Sequence, residues 1–200
     1  MTEHFASIKM SPASDWVTRW AQLLTKGSTV LDVACGHGRH MKWLRDHEFE
    51  VVGIDRDPEA AAASSAWGKV HQVDIENGYW PLEEGSGRLR KFGAVVVTNY
   101  LWRPLIPTLL NSVEEGGLLI YETFGIGNQV FGKPSRPDFL LQPGELLDIC
   151  SQENGFQIVA YENGILNNPD RCVQRVVAIK QHAIAKIQQA EVVLQLNPLH

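Results

Sequence analysis

The stretch VLDVACGHGRH, from Val30 to His40, constrains this chain more than any other: an apolar run around one acid meets a glycine turn and then a helix-compatible segment. A strand, a glycine turn and a helix in that order form the opening unit of an open α/β sheet. Ligands of such sheets bind beyond the carboxyl ends of the strands. A dinucleotide site needs G-x-G-x-x-G, whose third glycine lets helix and strand pack closely. Here that frame gives Ala34, Gly36 and Arg39, and the shifted frame gives Gly36, Gly38 and Met41, so neither fits. A phosphate-cradling G-x-x-x-x-G-K-[ST] is also lacking. What stands is acid-x-x-x-G-x-G, with Asp32 in the strand, Gly36 and Gly38 in the turn, and Ala34 where a further glycine could sit.

The rest of the chain repeats the alternation. Trp16, Val17, Trp20, Leu23 and Leu24 share a helical face, with Ser14 or Asp15 as N-cap. TVLDVA reads as the first strand, Gly38 to His47 as a helix burying Met41 and Leu44, and EVVGID as the second strand. Asp57 before Pro58 is a strong helix start, because aspartate caps free amides and proline fits the first turn. KVHQVD makes a third strand and FGAVVVTN a fourth, whose continuous valines imply burial on both faces. A helix from Pro104 through LIPTLLNSV, a fifth strand GGLLIYETF, a helix from Glu145 to Asn154, and strands FQIVAYE and CVQRVVAIK follow. Alternating strands and helices predict a mostly parallel sheet covered on both faces. The expected organisation is one domain over residues 1–180 and a helical tail over 181–200.

Composition bounds the function classes. A chain of 200 residues, 44% hydrophobic, can bury one sizeable core. Three cysteines without a C-x-x-C pair supply neither a disulfide framework nor a zinc ribbon, which fits a reducing, cytoplasmic setting. No leader-like start and no run of about 18 apolar residues is present, so no membrane association is expected. A net charge of −5 without a visible basic patch weighs against a nucleic-acid partner. Oligomeric state is not legible.

Asp32, Asp55 and Asp74 stand at the ends of three successive strands, with Asp55 23 residues after Asp32. Together with the glycine turn, this resembles motif I and its following acids in the class I S-adenosylmethionine-dependent methyltransferases. DWVTRW, VLDVACGHGRH, VVGIDRD, VVVTNYLWRPL, GGLLIYETF and GKPSRPDFLLQPGELL extend the resemblance to small bacterial methyltransferases related to the tellurite-resistance methyltransferases. It covers roughly residues 11–180. The resemblance implies an α/β, Rossmann-like class I fold: a seven-stranded sheet of order 3-2-1-4-5-7-6 with strand seven antiparallel and helices on both faces. Ala34 departs from the usual glycine, and its methyl is accommodated most easily at negative φ.

By this resemblance the cofactor is S-adenosylmethionine, leaving as S-adenosylhomocysteine. Asp32 would orient its ammonium, the turn at Ala34, Gly36 and Gly38 would cradle it, and the helix start near Gly38 suits its carboxylate. Asp55 would take the ribose hydroxyls, Asp74 the adenine amino group and the Ile75 amide the ring edge, with Asn99 beside them at the end of the fourth strand. The expected reaction is methyl transfer by in-line displacement, which depends on alignment and needs no metal. NYLW at Asn99 to Trp102 lacks the N-P-P-Y tetrad of enzymes that methylate exocyclic amines and glutamine amides. The acceptor is therefore read as a small molecule, anionic if arginines hold it. Tyr100, Arg103, Tyr121 and Glu122 should face the site, Tyr100 or Glu122 as proton acceptor and Arg103 as anion reader. The long segment from Gly125 to Pro143 is a lid candidate expected to close over an acceptor whose negative group is read by Arg103, Arg136 or both. Its cations Lys133 and Arg136 and its apolar Phe131 and Phe139 point to a small acid or a partly aromatic acceptor. An RNA or protein methyltransferase and a cofactor-binding module without catalysis are the alternatives. His37 reads as a turn residue, His40 as helix surface or pocket wall, and Trp16 and Trp20 as core.

Overall fold

The computed structural model describes residues 10–182 except 86, so the tail expected to be helical lies outside the described residues. Helix α1 (Asp15–Trp20) begins where Ser14 Oγ accepts the Trp16 amide at 3.2 Å, and leads through a 3-10 turn to β1 (Thr29–Val33). Then come α2 (Arg39–Asp46), β2 (Glu50–Asp55), α3 (Pro58–Ser64) and β3 (Lys69–Gln72). As expected from Asp-Pro, Asp57 caps α3 through its carboxylate, 2.8 Å from the Ala60 amide. A short hairpin of β4 (Glu83–Glu84) and β5 (Arg88–Leu89) lies apart from the main sheet. The sequence did not suggest it, since its two-residue strands carry no periodic signal.

β6 (Phe92–Thr98) is buried throughout, as its valines require; α4 (Ile106–Ser112) follows, then β7 (Val113–Phe124), α5 (Glu145–Ile149), β8 (Phe156–Leu166) and β9 (Arg171–Lys180). The sheet order is β3-β2-β1-β6-β7-β9-β8. Counting main-sheet strands only, this is 3-2-1-4-5-7-6, and β9 runs antiparallel to both neighbours. α5 stops five residues before the expected end, because the chain turns at Cys150 and Gly155 enters the left-handed region at φ 82°.

Two cores fill the two faces, and the two-residue period of the strands assigns side chains between them. Leu31 and Val33 of β1, Val95 and Val97 of β6, and Leu119 and Tyr121 of β7 face α4 and α5, packing with Leu109 and Leu146. Val30, Val96, Leu118 and Ile120 face the other way, under Trp16, Met41 and Leu44 of α1 and α2. The same alternation sends Asp32, Thr98 and Glu122 beneath the α1 and α2 side. Trp16 and Trp20 are core, as expected.

Candidate functional site

Two cavities lie at the carboxyl ends of β1, β2, β3, β6 and β7. The first, about 350 Å³, is walled by residues including Ala34, Asp55, Asp74, Ile75, Asn99 and Tyr100. The second, about 520 Å³, lies between residues 11–15, Arg39, the segment 128–133 and the turn 168–171. Asn99 and Phe124 line both, so the cavities adjoin.

In the glycine turn, Asp55 does two jobs at once. One of its oxygens accepts the Gly36 amide at 2.7 Å and the other the Asp57 amide at 2.9 Å. Each oxygen keeps further acceptor capacity toward the cavity. Gly36, at φ 54°, has nothing within 4 Å of where a Cβ would stand, so backbone conformation alone calls for glycine. Gly38 differs: its Cβ would lie 2.8 Å from Ser64 Cβ and 2.9 Å from Trp67 Cδ1. Gly38 thus lets α2 approach α3, and a branched side chain there would strike protein rather than ligand, contrary to a purely cofactor-facing reading of the turn. Ala34 is also corrected. Its φ is +53°, not negative, because the chain must turn at once for Cys35 to donate to Ile54 O at 3.0 Å. A non-glycine residue in this region costs about 1 kcal/mol or more.

Asp32 is 0% exposed, and neither carboxylate oxygen has a hydrogen-bond partner among the described residues. Burial, helped by the nearby Asp55 charge and opposed by Arg39, pushes its pKa up to about 7. Its nearest basic neighbour is His40, with Nδ1 3.9 Å from Asp32 Oδ2. His40 is 1% exposed, which corrects the surface or pocket-wall expectation. Its Nε2 accepts the Ser14 amide at 3.2 Å, so the ring proton belongs on Nδ1, toward Asp32. Burial and Arg39 push His40 down to about 3, and the ring is neutral. Ser14 Oγ donates to Glu122 Oε2 at 3.0 Å, tying β7 to the N-terminal segment.

Asp74 accepts the Glu76 amide at 2.9 Å and opens a 3-10 turn at Ile75. Asn99, at φ 55°, donates its amide to Glu122 O at 2.9 Å and keeps its side chain at the junction of the cavities. Tyr100 lines the first cavity, its pKa raised by burial and by the neighbouring Glu76 and Asp74. The phenol therefore stays protonated, which corrects its reading as a resident base.

Four further expectations change. Tyr121 points into the α4 and α5 core and donates to Tyr100 O at 3.0 Å. Glu122 is 1% exposed, tied to Ser14 and 3.4 Å from Arg175, and lines neither cavity; β7's alternation carries it beneath the α1 and α2 side. Arg103 bridges Glu145 at 2.7 and 2.9 Å and donates to Asp138 O and Leu140 O, so its donors brace the loop rather than meet a ligand. Arg136 pairs with Asp138 at 3.0 Å, lies over Phe139 and lines neither cavity. The base of the expected lid is pinned by Gly125 to Cys172 O at 3.0 Å and by Ile126 to Leu141 O at 2.9 Å. Only its middle borders the cavities. His37 is exposed in the turn, as expected. The sequence reading missed Glu76 and Arg56 in the first cavity and Arg39 and Arg171 around the second, where Lys133 of the expected lid also stands; of those missed, only Arg39, one residue after the turn, had a local signal.

The donor set fits an S-adenosylmethionine-like ligand: an orphaned buried carboxylate beside the glycine turn, and acids on the wall of one cavity. A methyltransferase domain is matched over residues 30–115. No curated protein sequence matches the chain significantly. Solved structures similar to it include TehB from Haemophilus influenzae, at 16% identity and TM-score 0.68, covering 87% of this chain. This chain spans 64% of TehB. A SAM-dependent methyltransferase from Methanosarcina mazei matches at 14% identity and TM-score 0.63, over 86% of this chain and 99% of the other. Magnesium protoporphyrin IX methyltransferase from Synechocystis with bound SAH matches at 18% identity and TM-score 0.61, over 83% and 78%. Among the described residues no helix is long and apolar enough to cross a membrane. The chain has the class I methyltransferase fold, and its residues 30–115 are similar to a methyltransferase domain.

Proposed function

We propose that this chain is an S-adenosylmethionine-dependent methyltransferase acting on a small, anionic molecule, with the cofactor in the first cavity and the acceptor in the second. The observation that carries this reading is the junction at Asn99 and Phe124, where a cavity walled by strand-end acids adjoins a second one. Bound S-adenosylmethionine supplies an electrophilic methyl group that an acceptor takes by in-line displacement. Asp55 would hold the ribose diol, Asp74 and the Ile75 amide the adenine, and Asp32 the ammonium, directly or through water. Ala34, Gly36 and Gly38 shape the turn against which the ligand lies. Alignment of two bound partners can contribute roughly 7 to 11 kcal/mol, so the chain's work is orientation and exclusion of water. Tyr100 serves as a hydroxyl donor at the cavity wall. No base is assigned, since Glu122 is occupied within the protein.

The test is incubation of the protein with methyl-labelled S-adenosylmethionine and a small-molecule fraction of cell extract, with mass spectrometry of labelled products. A labelled small molecule is expected. Tight cofactor binding with no label transferred would point to a non-catalytic module, and label on RNA or protein alone would move the acceptor class. NAD is expected not to bind.

A further inference from the structure

The second cavity gathers cations that make no direct carboxylate contact. Arg39, Lys133 and Arg171 line it, and among the described residues none has a carboxylate within ion-pair distance. Among the described residues the two guanidinium groups donate to backbone carbonyls: Arg39 Nη1 to Pro12 O at 3.2 Å and Arg171 Nη1 to Pro169 O at 3.4 Å. The two are close enough to repel. Arg39 is lowered from its ordinary value first by burial, with Glu122 and Asp32 raising it and Arg171 lowering it further. Of the carboxylates on the same wall, Asp15 is engaged by Arg175 at 3.1 Å, which leaves Asp170 against three cations. In a chain of net charge −5, three cations gathered on one cavity make that cavity attractive to an anion. Guanidinium groups match an acid group through paired, charge-assisted hydrogen bonds. Phe124 and Phe131 stand on the same cavity, and Phe131 is 41% exposed, so an apolar contact surface lies beside the cations.

We infer that the second cavity binds an aromatic organic acid, its acid group read by Arg39, Lys133 and Arg171 and its ring seated on Phe124 and Phe131. This rests on the proposed methyl-transfer reading and names the class of its acceptor. It also replaces Arg103 and Arg136 as the anion readers, because those two are spent within the loop. The anion further offsets the sulfonium charge that a bound methyl donor brings next door.

The probes are 1-anilinonaphthalene-8-sulfonate, an aromatic acid, and N-phenyl-1-naphthylamine, the same ring system without the acid group. Fluorescence titrations are run on protein first shown by calorimetry to bind S-adenosylhomocysteine. Saturable one-to-one binding of the sulfonate is expected, with the neutral amine at least about tenfold weaker, the loss expected for one charge-assisted hydrogen bond. Lys133→Ala and Arg171→Ala should each weaken the sulfonate roughly tenfold and leave the amine and S-adenosylhomocysteine unchanged. Lys133 lies exposed in a loop, so that variant does not hinge on folding. Equal binding of the two probes, no saturable sulfonate binding, or insensitivity to both substitutions overturns the inference. Failure of the parent to bind S-adenosylhomocysteine instead overturns the cofactor reading on which it rests.

Discussion

The two cavities adjoin at Asn99 and Phe124 but are built from opposite kinds of chain. The acids Asp55 and Asp74 on the first wall, and Asp32 beneath it, sit at or near the carboxyl ends of neighbouring parallel strands, where pairing alone brings them together. β1 pairs with β2 and β2 with β3, so three short sequence motifs converge without help from any loop. The second cavity draws on residues 11–15, one residue of α2, the loop after β7 and the turn between β8 and β9. Its chemistry depends on where four distant pieces come to rest. Strand-end chemistry is thus a local property, and acceptor chemistry is a property of assembly.

The sharpest way to break that comparison lies in the glycine turn, where neighbouring glycines do different work. Gly38→Val adds a side chain into Ser64 and Trp67 at positive φ and should cost about 3 kcal/mol or more, read by chemical denaturation. Gly36→Ala meets no protein atom and should lose only about 1 to 2 kcal/mol of stability. If both lose equally, the packing role assigned to Gly38 is wrong. Next in size, Asp55→Ala should weaken S-adenosylhomocysteine roughly tenfold to a hundredfold by calorimetry, since it removes an acceptor and the anchor of the Gly36 amide. Unchanged affinity would remove Asp55 from the site.

A third expectation uses Asp32. Its folded pKa, about 7, is raised above the ordinary value of 3.8, so the folded chain holds a proton that the unfolded chain has lost between those values. This contribution to stability therefore falls as pH rises from about 4 to about 7, and is flat above. Asp32→Asn should abolish that part of the fall in denaturation curves. In the parent, S-adenosylhomocysteine should bind more tightly as pH rises through about 7, because the ionised carboxylate attracts an ammonium; in Asp32→Asn this rise should vanish. A parent profile without any rise would detach Asp32 from the ligand's ammonium. The smallest effect is Ala34→Gly, which relieves a positive φ and should add up to about 1 kcal/mol of stability. A loss would show that the methyl group packs better than its backbone strain costs.

These outcomes bear on what a sequence can disclose. The strands and the strand-end acids were legible because buried strands, glycine turns and caps each have a short-range signature, whereas the sheet order came only with the family resemblance those motifs carry. The roles of Arg103, Glu122 and His40 were not. Each is settled by a partner far away in sequence: Arg103 by Glu145, Glu122 by Arg175 and Ser14, and His40 by Ser14 and Asp32. Residue type made Arg103 an apt anion reader, yet 42 residues separate it from the glutamate that claims it. Arg171 gave no local sign, since an arginine at a strand start is an ordinary surface feature until it shares a cavity with Arg39 and with Lys133 of the loop.

The most direct measurement of the central claim is a crystal structure of the complex with S-adenosylhomocysteine. The expected result places the ribose on Asp55, the adenine beside Asp74 and Ile75, and the sulfur at the junction of Asn99 and Phe124, facing the second cavity. A ligand seated elsewhere, or one whose sulfur faces away from Arg39, Lys133 and Arg171, would contradict the division of the site into a cofactor cavity and an acceptor cavity.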